Sequence, residues 1–301
     1  MKTIVAEYIW LDGQDNFRSK TKVMKADVDD STVLRFNKPE YYPVWNYDGS
    51  STAQASTDNS EVLLRPVAVY KDPMRDHPYS FLVLCENYVV IEGQETHYDM
   101  RRNAVEVFNK YTQSNCGSDP MFGLELEFFL YKGDNPLGMP YYPLSLPPPQ
   151  ANYYCGIGSK NAIGRNMIEK VLDRCLRCNL GITGLNAEVA PSQWEFQVCE
   201  VGIKACDDTM MFKYLLQRTA EEFGLDINFH PKPIEGDWNG SGCHVNFSTK
   251  EMREGTNDKT GYDIILESIE KLRLNHDEHM ALYGVDNEKR LTGEHETGKF
   301  D

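Results

Sequence analysis

NAEVAPSQWEFQV, residues 186–198, sets Glu188 and Glu195 seven residues apart, with Pro191 and Ser192 between them. Ala187 and Val189 flank the first glutamate, and Trp194 and Phe196 flank the second. The proline ends one extended run and the next begins near Gln193, so a tight hairpin or crossover would bring the two carboxylates together. Trp194 and Phe196 point to burial on the other face of the second run. Carboxylates set among buried residue types must be neutralised, because burial alone disfavours their charge.

Two more stretches have the same character. In GLELEFF (123–129), Glu125 and Glu127 are two apart and share one face of a strand, while Leu124, Leu126 and Phe128 fill the other. Alone, this reads as a half-buried strand with a solvated glutamate face. In GCHVNFST (242–249), His244, Asn246 and Ser248 share one face, and Cys243, Val245 and Phe247 the other. Following the glycine-rich DWNGSG, that polar face reads as a site.

The strands belong to a chain of 301 residues, 41% hydrophobic and 26% charged, with a formal net charge of −15. The length suffices for a sizeable core and one or two domains. The charge argues against nucleic acid and anionic membranes as general partners. No run approaches the roughly 18 apolar residues of a membrane span. The N-terminal MKTIVAEYIWLDG is interrupted by Glu7 and Asp12 and reads as a strand rather than a signal peptide. Of eight cysteines only Cys175 and Cys178 form a C-x-x-C pair, and no second pair follows at zinc spacing. The pair falls in a helical pattern, so buried thiols of a cytoplasmic protein are expected.

Residues 1–95 read as a β-rich first domain, with short apolar runs at 3–10, 62–69 and 80–85 split by turn formers. From residue 96 to 301 strands alternate with helices. Helices are expected over 98–111, 163–176, 209–223 (capped by Asp207 or Asp208 and ended by Gly224) and 262–283. Strands are expected over 121–131 and 240–249, and the four prolines of 141–150 enforce a loop.

Four glutamates and one histidine therefore lie on three strands. Four carboxylates cannot sit together unpaired, since like charges raise one another's pKa. Two hard divalent cations resolve this, and oxygen-rich ligation with at most one imidazole favours Mg²⁺ or Mn²⁺ over zinc. Paired cations in a carboxylate cage usually serve phosphoryl chemistry.

At these residues the sequence resembles the glutamine synthetase family, specifically its eukaryotic-type branch. WNYDGSSTAQA (45–55), GLELEFFLY (123–131), YYCGIG (153–158), NAEVAPSQWEFQV, DWNGSGCHVNFSTKEMR (237–253) and NEKRLTGEHET (287–297) follow in family order with family-like spacing. The resemblance implies an α+β fold: a small N-terminal β-grasp domain, then a larger α/β catalytic domain built as an open barrel of antiparallel strands with helices outside. It implies a homo-oligomer of stacked rings with the active site at a subunit interface. The implied reaction joins ammonia to L-glutamate at the expense of ATP, through a γ-glutamyl phosphate, giving L-glutamine.

By the same resemblance, Glu127, Glu188 and Glu195 would hold one metal ion, and Glu125 with His244 a second. Trp238, Asn239 and Gly240 would contact glutamate. Arg290 would grip the substrate carboxylate or the transferred phosphoryl group. Glu296 would close the site and help deprotonate ammonium, and Asp48 would assist there from a neighbouring subunit. Glu125, Glu195, Phe196, Gln197, Asn246 and Ser248 would line the ATP site.

The family pattern continues beyond His295-Glu296-Thr297 into several phosphate-binding arginines and a further metal-binding glutamate, which do not appear before Asp301. Met121 stands where many relatives have tryptophan, Cys199-Glu200 where relatives have Gly-Pro, and Glu294 is unusual beside His295. Two expectations follow: an active synthetase of which this is a part, or a catalytically inactive relative acting as a scaffold or interaction protein. Intact upstream metal-site residues favour the first.

Overall fold

The computed structural model describes residues 1–27, 33–113, 119–139, 143–148, 152–294 and 297–299. The chain is α+β and divides into two compact units, residues 1–114 with 173–180, and residues 115–172 with 181–301.

The first unit is built on one sheet. β1 (Lys2–Leu11), β2 (Phe17–Ala26), β3 (Trp45–Asp48), β4 (Glu61–Lys71), β5 (Ser80–Ile91) and β6 (Gln94–His97) pair in the order β2-β1-β5-β4-β3, with β6 beside β5. β1 and β5 run parallel, while the other pairings are antiparallel. Period-two alternation delivers Ile4, Ala6, Tyr8 and Trp10 of β1 to a core shared with Val62, Leu64, Phe81 and Val83. β3 ends at Asp48, whose carboxylate accepts from Ser50 N at 3.0 Å and caps a short 3₁₀ turn over Gly49–Thr52. Helix α1 (Arg101–Gln113) starts three residues later than the periodicity predicts. Asp99 accepts from Arg101 N and from Asn87 N, both at 3.1 Å, and so fixes the entry to the helix.

The second unit carries the other sheet. Its strands are β7 (Met121–Lys132), β8 (Asn135–Pro136), β9 (Ile182–Ala187), β10 (Gln193–Val201), β11 (Asp226–Asn228) and β12 (Cys243–Ser248). The order is β11-β7-β10-β9, with β12 and β8 also on β7, and every pairing is antiparallel. The remaining α-helices among the described residues are α2 (Arg165–Arg177), α3 (Ile203–Phe223), α4 (Lys250–Glu254), α5 (Gly261–Leu274) and α6 (His276–Met280).

One face of β7 and β10 packs against α3. The Phe128 ring lies 6.3 Å from Phe196, 6.2 Å from Phe212 and 6.0 Å from Phe229, centroid to centroid, and Phe196 stacks on Phe212 at 4.6 Å. Phe128, Phe196 and Phe212 have no exposed surface. Phe128→Ala is expected to cost about 3–5 kcal/mol, the usual range for emptying such a site. Urea denaturation checks this, and a loss under about 1 kcal/mol would contradict the packing described.

Two sequence expectations are corrected here. α3 begins at Ile203, not Thr209, so Asp207 and Asp208 lie inside the helix rather than capping it. Asp208 is fully buried, where it accepts from Gly181 N at 2.8 Å and from Lys204 Nζ at 2.5 Å. The helix expected over 262–283 is broken: α5 stops at Leu274, and Asn275 takes φ −115° and ψ 23° before the short α6. The Asn275 side chain donates to Lys271 O at 3.0 Å, the local competition that makes asparagine a helix-ender. The apolar side of β12 is not covered by the described residues, and Val245 and Phe247 are 61% and 48% exposed. The α3 terminus does follow expectation, with Gly224 at φ 61°.

Candidate active site

Register places the acidic residues on one face of the second sheet. β7 is central: Glu127 faces Glu195 on β10, and Glu125 faces Gln197 on β10 and His244 on β12. The hairpin between β9 and β10 adds Glu188. Glu188 N donates to Gln193 O at 2.9 Å and Gln193 N to Ala190 O at 3.2 Å, with Ser192 at φ +60° making the turn. Carboxylate oxygens of Glu127, Glu188 and Glu195 all lie within 4.8 Å of one another. Glu188 and Glu195 are buried and Glu127 is half-buried.

This crowding has an electrostatic cost. Burial, reinforced by the charges of Glu127 and Glu195, pushes the Glu188 carboxyl up to about 7. Burial also raises Glu127, against the lowering effects of the Gly242 amide, His244 and Arg290. Fixed donors hold the orientation: Asn186 Nδ2 donates to Glu188 at 2.8 Å, Gln197 Nε2 to Glu195 at 2.8 Å, and Gly242 N to Glu127 at 2.7 Å. Three converging carboxylates, two of which (Glu188 and Glu127) are pushed towards the protonated form by burial and then by neighbouring charge, are the donor set a hard divalent cation takes, so the residues fit Mg²⁺ or Mn²⁺. Cation binding must then displace the Glu188 proton. Titrating the protein with Mg²⁺ at pH 7 is expected to release about half a proton per ion, falling towards none at pH 9. Calorimetry in buffers of different ionisation enthalpy reads this directly, and release independent of pH would contradict the assignment.

Next to the cluster, His244 Nδ1 lies 3.2 Å from Glu125 Oε2, and Asn246 Nδ2 donates to Glu125 Oε1 at 2.7 Å. All five acidic and imidazole groups line one pocket of about 280 Å³, together with Tyr154, Asn186, Gln197, Asn239, Gly240, Arg290 and Thr297. Arg290 lies across the 240–242 backbone. A Cβ on Gly240 would stand 2.5 Å from Arg290 Cγ and 2.6 Å from Pro231 O, so only glycine fits there.

Not every expected residue points into this pocket. The Trp238 ring is buried in a cluster with Phe129, Met139, Ala190 and Ile234. The Phe196 ring is in the α3 core, which leaves only its backbone on the acidic side. Ser248 lies at the end of β12, opposite Met121, and its hydroxyl accepts from Arg253 Nη1 at 2.9 Å. Asp48 belongs to the first unit. Glu296 lies outside the described residues.

Three residues of the site are given no role by the sequence reading. Tyr154 lines the pocket, and Asn186 orients Glu188. Gln193, 1% exposed, donates from Nε2 to Gly240 O at 2.8 Å and accepts at Oε1 from Asn239 Nδ2 at 3.2 Å. The spacing of Gln193, Glu195 and Gln197 on one strand face could have indicated the last of these.

Residues 97–262 match the family described as glutamine synthetase, catalytic domain. A glutamine synthetase from Agaricus bisporus is 46% identical over 298 residues, covering 98% of this chain and 78% of its own length. Glutamine synthetase cytosolic isozyme 1-1 from Oryza sativa subsp. japonica is 44% identical over 302 residues, covering 99% of this chain and 80% of its own. A Plasmodium falciparum glutamine synthetase solved by cryo-electron microscopy superposes with a TM-score of 0.62 at 14% identity, over 82% of this chain and 50% of that one, a likeness of fold. With a catalytic-domain match across more than half the chain, and relatives above two fifths identical along nearly all of it, the chain belongs to the glutamine synthetase family.

Proposed function

We propose that this chain catalyses the ATP-dependent ligation of ammonia to L-glutamate, giving L-glutamine, ADP and phosphate through a γ-glutamyl phosphate. The observation that carries the reading is the convergence of Glu127, Glu188 and Glu195 beside Glu125 and His244, in one pocket with Asn239, Gly240 and Arg290. Family membership supports this reaction, and the acidic pocket supports the cation and amino-acid parts of it.

Glu127, Glu188 and Glu195 would hold one cation, and Glu125 with His244 the other. Bound Mg²⁺ or Mn²⁺ would neutralise phosphate charge and orient the transferred group. The chain's own residues do the rest. Asn239 and Gly240 would receive the amino-acid substrate, and Trp238, packed in its apolar cluster, would anchor that loop. Arg290, lying over Gly240 and Gly242, would face the substrate carboxylate or the phosphoryl oxygens as a fixed positive charge. Glu125, Glu195, Gln197, Asn246 and Ser248, with the Phe196 backbone, would lie along ATP. Glu296 would close over the site and take a proton from ammonium. Asp48 would serve the ammonium position of a neighbouring subunit, which makes the working form a homo-oligomer. The start of the catalytic-domain match at residue 97 supports a domain boundary near 96. Among the described residues no helix is long and apolar enough to cross a membrane, and a cytoplasmic setting is in keeping with the name of the rice relative.

The test is ADP release from ATP that requires both glutamate and ammonia, with Mg²⁺ and then Mn²⁺, beside Glu188→Ala. Turnover that the variant lacks is the expected result. ADP release indifferent to glutamate, or unchanged in the variant, would contradict the reading. Cation binding without turnover would favour the silent scaffold.

A further inference from the structure

Gln193 joins two parts of the pocket that are far apart in sequence. Its backbone carbonyl holds Glu188 N at 2.9 Å and so fixes the hairpin that carries the buried carboxylate. Its side chain holds the other part: Nε2 donates to Gly240 O at 2.8 Å, while Oε1 accepts from Asn239 Nδ2 at 3.2 Å and from Ala190 N at 3.1 Å. Gln193 lies on the same strand face as Glu195, two residues on. The far end of the same loop is tied to the carboxylates as well, since Gly242 N donates to Glu127 at 2.7 Å and Glu127 N to Gly242 O at 3.0 Å. The loop 239–242 is therefore pinned to the acidic cluster at both ends, once through Glu127 and once through Gln193.

A primary carboxamide suits this place for a chemical reason. It offers an acceptor with two lone pairs and a donor on one rigid plane. At 1% exposure water cannot substitute for either. A carboxylate would accept twice but face the Gly240 carbonyl with no donor. An aliphatic side chain would leave Gly240 O, Asn239 Nδ2 and Ala190 N without this partner.

We propose that Gln193 is a positioning residue that couples the two binding events: cation occupancy at Glu127, Glu188 and Glu195 sets the loop that receives the amino acid, and amino-acid binding tightens the cation site. The inference rests on the proposed synthetase reading, because it takes Asn239 and Gly240 as the amino-acid subsite. Thermodynamic linkage requires the effect to be reciprocal, so one coupling factor describes both directions.

The experiment titrates the whole protein with Mn²⁺ by electron paramagnetic resonance, with and without saturating L-glutamate, in the wild type and in Gln193→Met. Methionine keeps the length and apolar volume and removes every side-chain hydrogen bond. The wild-type Mn²⁺ affinity is expected to rise about tenfold with glutamate, within the usual span of such couplings. In Gln193→Met the ratio is expected to fall to about one, with Mn²⁺ affinity in the absence of glutamate within about threefold of wild type. A variant that keeps the wild-type ratio while only its Tm drops would make Gln193 a structural residue and overturn the proposal. A wild type that binds both ligands with no coupling would also overturn it and leave the synthetase reading intact. A wild type that binds no Mn²⁺ would remove the synthetase reading and this proposal with it. Should the methionine variant not fold, Gln193→Asn, whose amide is one methylene too short for Gly240 O, gives the same ratio with the same two outcomes.

Discussion

Glu188→Gln will make the metal-free protein more stable than the wild type at pH 8, and less stable than it once Mg²⁺ is saturating. In the unfolded chain the Glu188 carboxyl titrates near 4.5, whereas in the folded protein burial and its two carboxylate neighbours push it up to about 7. The folded state thus holds a proton that the unfolded state has lost between those values, and stability falls as pH rises. The contribution is intact below about pH 4.5, declines through the window from 4.5 to 7, and is flat above it. The difference of about 2.5 pKa units corresponds to about 3 kcal/mol. Glutamine removes the charge and keeps an acceptor for Asn186 Nδ2, so the variant should recover most of that at pH 8 and almost none at pH 4.5. Mg²⁺ reverses the order, since a ligand at about a thousand times its Kd adds about 4 kcal/mol to the wild type. The variant has lost an anionic ligand and should gain little. Thermal melts at pH 4.5 and pH 8, with and without EDTA, check both halves. A variant less stable than wild type at pH 8 without metal would show that the Glu188 charge is already neutralised by the protein.

Gly240→Ala will weaken L-glutamate binding by about ten- to a hundredfold, while changing Mn²⁺ affinity measured without glutamate by less than about threefold. The added Cβ meets a side chain on one side and a carbonyl on the other, 2.5 Å from Arg290 Cγ and 2.6 Å from Pro231 O. The carbonyl cannot retreat easily, because it accepts from Ser241 N at 2.9 Å. Arg290 must therefore shift, and the Gly240 carbonyl must pull against Gln193. Overpacking of this kind costs about 1–3 kcal/mol, here directed at the amino-acid side of the pocket and not at the three-carboxylate cluster. Calorimetric titration with each ligand separates the two effects. Unchanged glutamate affinity would remove Gly240 and Arg290 from the binding account.

The parts of the site that were legible in the sequence are those fixed by strand alternation. Glu125 and Glu127 had to share a face because they are two apart on one strand, and the Pro191-Ser192 turn had to return Glu195 towards Glu188. His244 followed from the same rule on β12. What alternation cannot give is a partner distant in the chain. The bond from Gly242 N to Glu127 and that from Gln193 to Gly240 depend on which strands pair, and no local pattern encodes that. Fold errors arose where a local rule met a stronger contact. Asp208 has the composition of a helix cap, but the Gly181 amide and Lys204 draw it into the buried interior of α3. Asn275 ends α5 through its own side chain, although the apolar spacing runs on to Tyr283. At Phe196, alternation puts the ring against Phe212, so only its backbone is left for the nucleotide role that the resemblance implies, and the acidic face goes to Glu195 and Gln197.

The central claim is that the carboxylate face of the second sheet is a divalent-cation site. The measurement that tests it most directly is an anomalous difference map from crystals grown with Mn²⁺. The account predicts one peak bound by Glu127, Glu188 and Glu195, and a second at Glu125 and His244. An empty cluster in crystals that carry Mn²⁺ only on surface carboxylates would contradict it.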